Sequence, residues 1–105
     1  MHLSFEWDAA KAATNLRKHR VSFELAARVF ADPLAWSHQD RVEGGEQRWQ
    51  TICMVDGALL LLVAHTVRDD ESDAAAESEP GEVIRIISAR TATRKEKRNY
   101  EKDDR

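Results

Sequence analysis

Glu46, Arg48, His65, Arg68, Arg85 and Arg90 fall at spacings that a small sheet can bring together. Arginine forks grip a phosphate through paired N–H donors and stabilise the negative charge that grows as the phosphate is attacked. An imidazole or carboxylate beside them can remove a proton. His19, His38 and His65 show no metal-ligand spacing, so no metal or cofactor is expected. The set suits cleavage of a phosphodiester that supplies its own 2′-hydroxyl as nucleophile. A purely structural reading competes with it: Glu46, Arg48 and His65 can form a cross-strand polar cluster that solvates a sheet edge. Arg85 is the most telling member, because it interrupts Val83-Ile84-Arg85-Ile86-Ile87, and a charge inside an apolar strand must reach solvent or a partner. Lys18-His19-Arg20 reads as a cationic end to a helix, with Lys18 a candidate phosphate contact. Tyr100 is read as a packing residue, and Trp7, Trp36 and Trp49 as anchors, although an exposed tryptophan can stack a base.

The elements that must position these residues follow from local patterns. Residues 5–7 begin extended, and Asp8 is an N-cap for a helix over about 9–19, whose Ala9, Ala12, Ala13 and Leu16 form one apolar stripe. Ser22 caps a second helix that stops at Asp32-Pro33. Residues 34–38 read as a short strand, and 39–46, with Gly44-Gly45, as a polar loop. Residues 47–55 and 58–67 are strands joined by Asp56-Gly57, a two-residue hairpin signal. That turn puts Arg48 opposite His65 and Glu46 opposite Val67, and it puts Thr66 and Arg68 on the other face with Trp49, Thr51 and Cys53. Residues 83–88 form the last strand, and Thr93-x-x-Glu96 is a capping box opening a C-terminal helix to about residue 101. The expectation is an α+β domain spanning 1–105, with two N-terminal helices, an antiparallel meander of about four strands and a final helix.

The 105 residues carry 16 Lys and Arg against 19 Asp and Glu, a net charge of −3. Seven of those acids lie in residues 69–82, which contain no Lys or Arg and read as a mobile acidic loop. Without them the rest of the chain is +4, a balance that suits a nucleic-acid partner. The longest apolar run, 58–64, is too short for a membrane span, and no secretory signal is visible. The single cysteine, Cys53, fits a cytoplasmic setting.

One ordered set of motifs resembles a known family. Phe5-Glu6-Trp7-Asp8-Ala9-Ala10-Lys11, Asn15-Leu16-Arg17-Lys18-His19, Val21-Ser22-Phe23-Glu24, Val29-Phe30-Ala31-Asp32-Pro33, Glu46-x-Arg48, His65-Thr66-x-Arg68, Arg85 to Arg90 and Glu96-x-x-x-Tyr100 together resemble the BrnT family of bacterial toxins. The resemblance implies a RelE-like fold and a metal-independent endoribonuclease that inhibits translation and growth. It also implies a ribbon-helix-helix antitoxin of the BrnA type, with operator DNA bound only through the toxin-antitoxin complex. By the aligned motifs, Arg68 and Arg90 come first as phosphate contacts. Glu46, Arg48 and His65 follow, with Glu46 or His65 as base, and then Arg85 and Tyr100. Two departures stand out: Arg20 where the family has glycine, and the acidic insertion. The alternative is a non-catalytic module, or a degenerate toxin, that binds nucleic acid or protein.

Overall fold

The computed structural model describes residues 2–55, 59–70 and 81–103. Five strands, β1 (His2–Glu6), β2 (Trp36–Glu43), β3 (Glu46–Val55), β4 (Leu59–Asp70) and β5 (Gly81–Thr91), form one sheet in the order β1-β5-β4-β3-β2. Helices α1 (Ala9–His19) and α2 (Phe23–Ala27) follow β1, a 3-10 turn covers Arg28–Ala31, and α3 (Arg94–Asp103) follows β5. About four antiparallel strands were expected. The sheet instead has five and is mixed, because β1 pairs parallel with β5 while the other neighbours are antiparallel. No local pattern announces a pairing between strands so distant in sequence.

The helix ends follow from cap chemistry. Asp8 accepts the backbone N–H groups of Ala10 and Lys11 at 2.8 and 3.1 Å, and Ser22 Oγ accepts that of Leu25 at 3.0 Å. Thr93 and Glu96 close their capping box in both directions, at 2.8 and 3.2 Å. Arg20 ends α1 in the left-handed region, φ 61°, with its N–H donating to Leu16 O at 3.0 Å. A Cβ is disfavoured there, and glycine is not. Arg20→Gly is therefore expected to stabilise the fold by about 0.5–1 kcal/mol, raising Tm by roughly 2–6 °C in a thermal melt. An unchanged or lower Tm would show that the Arg20 side chain earns its place in the turn.

Helices α1 and α2 lie on one face of the sheet, over a core of Val21, Phe23, Ala26, Val29, Cys53, Val55, Leu61, Val63, Ile84, Ile86 and Ala89. Burying each large side chain contributes about 1.5–3 kcal/mol. Burial also pushes the Cys53 thiol up to about 11. Asn15 ties α1 to the sheet. Its carboxamide accepts from the N–H of Ala89 at 3.1 Å and donates to the carbonyls of Ala89 and Val21 at 2.8 and 2.9 Å. Since β1 pairs with β5 only as far as Arg85, this one side chain supplies strand-like partners farther along that edge. On the opposite, outer face a smaller cluster of Ile52, Leu60 and Leu62 packs with Met54, Ala92 and Tyr100 of α3.

One turn and one strand register differ from expectation. Residues 39–46 are not a loop: β2 runs to Glu43, Glu43 pairs with Glu46, and Gly44 and Gly45 sit at φ 60° and 82°. Those are the angles of a tight two-residue hairpin turn, which glycine enters without a Cβ clash. The proposed Asp56-Gly57 turn lies outside the described residues, but the flanking strands fix the register. Val55 pairs with Leu59 and Trp49 with His65, one residue away from the expected pairing. The acidic segment is also shorter than expected, since Asp69 pairs with Glu82 and Asp70 with Gly81. The mobile-loop expectation for its remainder, residues 71–80, lies outside the described residues.

Candidate active site

The shift of one residue redistributes the candidate side chains between the two faces. His65, expected beside Arg48, lies on the helix-covered face and is 2% exposed. Its Nε2 is 2.7 Å from Thr51 Oγ1, which is 2.6 Å from Ser37 Oγ, and its ring meets Phe30 edge-on at 4.7 Å. Burial lowers its pKa to about 4, so the imidazole is neutral. Arg48, by contrast, lies on the outer face, as do Thr66 and Arg68, which were expected on the face opposite Arg48. A β-bulge between Ala64 and His65, two residues of β4 set against an extra residue of β5, keeps Arg85 on this face opposite Thr66.

The outer face therefore gathers Glu46, Arg48, Arg68, Arg85, Arg90 and Tyr100, six of the eight candidates. Helices α1 and α2 are on the other side, and α3 packs against the Ile52, Leu60 and Leu62 end. What is left is an open floor of Gln50, Ala64, Thr66 and Ser88 with arginines at its margin. Arg48 and Arg85 flank Thr66 from the neighbouring strands, with backbones on the order of 10 Å apart, and Arg68 is about 7 Å farther along β4. Arg90 pairs with Leu62 and Arg68 with Val83. That is about 20 Å along the sheet, too far for both arginines to hold one phosphate. Lys18 is elsewhere, in a crevice between α1 and β5 lined by Lys11, Thr14, Asn15, His19 and Ser88.

Each outer-face arginine meets a carboxylate, and the pairs are unequal. Arg85 donates to Glu46 across β4, Arg68 to Glu6 at 3.0 Å, and Arg48 approaches Glu43 at 3.6 Å. The first two are well exposed, the class of ion pair that contributes about 0–1 kcal/mol and opens readily. Arg48 is more enclosed, its side chain 22% exposed, and its Nε is buried without a hydrogen-bond partner among the described residues. Arg90 is held differently, by two bonds of 2.8 Å to both oxygens of Glu96. That fork, with the Thr93 contacts, draws the Glu96 carboxyl down to about 2 and raises Arg90 above its ordinary value.

Reading the sequence alone missed Thr66 as the centre of the arginine row, and it missed Trp36 and His38 on the same face. Trp36 pairs with Ile52 and His38 with Gln50, which puts both toward Arg48. Taking Gly44-Gly45 as a tight turn would have shown this, because it sets β2 in register with β3.

Residues 7–96 match the family described as "Ribonuclease toxin, BrnT, of type II toxin-antitoxin system". The chain belongs to the BrnT family. The crystal structure of the Brucella abortus ribonuclease toxin BrnT is similar to this chain in fold, with 19% identity and a TM-score of 0.55 over 90% of this chain and 100% of that one. No curated protein sequence matches. Membership makes this BrnT-family chain a ribonuclease toxin of a type II toxin-antitoxin system, a class with an antitoxin partner and an RNA target. Every candidate residue except Tyr100 falls within the span that matches BrnT.

Proposed function

We propose that this BrnT-family toxin is a metal-independent endoribonuclease that cuts RNA on the open outer face. The reading rests on one arrangement: Arg48 and Arg85 on either side of Thr66, with Glu46 bonded to Arg85. In this mechanism Arg48 and Arg85 bind the non-bridging oxygens of one phosphodiester, and Arg68 holds the next along the strand. Glu46 leaves Arg85 as the phosphate arrives and accepts the proton of the adjacent 2′-hydroxyl. The 2′-oxygen bonds to phosphorus, the bond to the 5′-oxygen breaks, and the leaving oxygen takes a proton from water. The products are a cyclic phosphate and a 5′-hydroxyl end. Arg90 fixes the start of α3 through Glu96, and Tyr100 packs the end of the floor. His65 supports the sheet from beneath, and Lys18 adds only longer-range attraction. We further propose a RelE-like layout, a cytoplasmic setting, and neutralisation by a BrnA-like ribbon-helix-helix antitoxin through which the complex reaches operator DNA.

The carboxylates already opposite each arginine favour a second reading, a degenerate toxin that binds without cutting. Incubating purified protein with RNA in excess EDTA separates the two. Cleavage that yields cyclic-phosphate ends, and that stops when the scissile nucleotide is 2′-deoxy, is expected. Intact RNA bound in a salt-sensitive manner would establish the second reading, and a requirement for added metal would end the first.

A further inference from the structure

We infer that Trp36 and His38 form a stacking shelf for an unpaired nucleobase of the RNA held on the outer face. This rests on the proposal that the outer face binds RNA and adds where a base sits. Trp36 begins the edge strand β2, is 39% exposed, and leans on the His38 ring at 4.9 Å and 37°. Among the described residues the indole makes no other ring contact, and at 39% exposure part of its surface is free to meet a flat partner. Both rings share the arginine face, since Trp36 pairs with Ile52, His38 with Gln50, and Arg41, past a bulge at Asp40, with Arg48. At the rise of a strand, His38 lies about 7 Å and Trp36 about 13 Å from the Arg48 row. A base one or two nucleotides from a phosphate at Arg48 and Arg85 can reach them.

The pairing of aromatic rings with guanidinium groups decides the occupant. The shelf lies beside Arg41 and Arg48, which a phosphate must draw away from Asp40 and Glu43, and an aromatic surface flanked by guanidinium groups is how proteins hold single-stranded nucleic acid. The Nδ1 of His38 is buried with no hydrogen-bond partner among the described residues, and the ring rests against Trp36. Stacking accepts any base, so the shelf selects unpaired RNA over duplex and not one sequence over another.

The test is fluorescence anisotropy with an unstructured 2′-O-methyl oligoribonucleotide, which binds without being cut, and with the same oligomer made abasic. Trp36→Ala is expected to weaken binding of the intact oligomer about tenfold or more, Trp36→Phe by less than about threefold, and binding of the abasic oligomer by neither. Unchanged melting temperatures show that the variants fold. If Trp36→Ala binds like the parent while Arg85→Ala binds weakly, the shelf is wrong and the RNA face stands. Should Trp36→Ala instead lose only the antitoxin, the surface belongs to that protein and the shelf is wrong. If the parent fails to bind, or neither Trp36→Ala nor Arg85→Ala alters binding, the shelf and the RNA face fall together.

Discussion

Alanine at Arg85 is expected to lower RNA cleavage by about 100-fold or more while leaving the melting temperature nearly unchanged. The loss follows from removing a fork aimed at charge that develops in the transition state, an effect of about 10²–10³ when one such donor is deleted. The small effect on stability follows from the exposure of the Arg85–Glu46 pair. Arg85→Lys keeps the charge without the fork and should recover only part of the rate. Glu46→Gln gives a sharper signature. Glu46 occupies Arg85 before substrate arrives and then serves as base, so its amide should bind RNA more tightly yet cut it about 10²–10⁴-fold more slowly. KM and kcat would fall together. Arg90→Ala should do the opposite, losing stability because Glu96 forfeits both guanidinium bonds and keeps only its Thr93 cap, while the folded fraction still cuts. Steady-state kinetics beside thermal melts read all four variants. A full rate with Arg85→Ala, or a raised KM with Glu46→Gln, would remove these residues from the chemistry.

His65 carries the second large effect, and it is an effect on stability. Its folded pKa of about 4 lies below the ordinary value of 6.5, so the unfolded chain binds the extra proton first. The contribution to stability is complete above about pH 6.5 and drains away as the pH falls toward 4. Its size is on the order of 3 kcal/mol. Denaturant melts between pH 7.5 and 4 should show the parent losing that much more than His65→Gln, which keeps a polar partner for Thr51 but does not titrate. The folded variant should still cleave RNA at pH 7.5, because its side chain is on the far face from Arg85. Parallel pH profiles for the two proteins would show that His65 is not held neutral, and loss of cleavage by a well-folded variant would return His65 to the list of bases.

What the sequence revealed was chemistry confined to one turn of chain. Asp8, Ser22 and the Thr93–Glu96 box name their own partners two or three residues away, so the helix ends could be read directly. Arg85 announced its need for a partner, though not that the partner was Glu46. Pairings between distant strands were hidden. Nothing near residues 2–6 points to β5, and one residue of slip between β3 and β4 exchanged the faces of His65 and Thr66 relative to Arg48. The candidate list thus held most of the outer-face residues, while their grouping had to await the register.

The flanks of the sheet bear on how the molecule behaves in a crowded solution. A strand edge with free N–H and C=O groups invites another chain to add on. Here one flank ends in the five-residue β1, and beyond it the Asn15 carboxamide occupies the backbone groups of Ala89 that a newcomer would need. The other flank, β2, is kinked at Asp40 and carries the charged Asp40, Arg41 and Glu43. A protein whose open face is laced with arginine–carboxylate pairs is thereby kept from polymerising sideways into ribbons, and its sociability is confined to the broad surface rather than the rims.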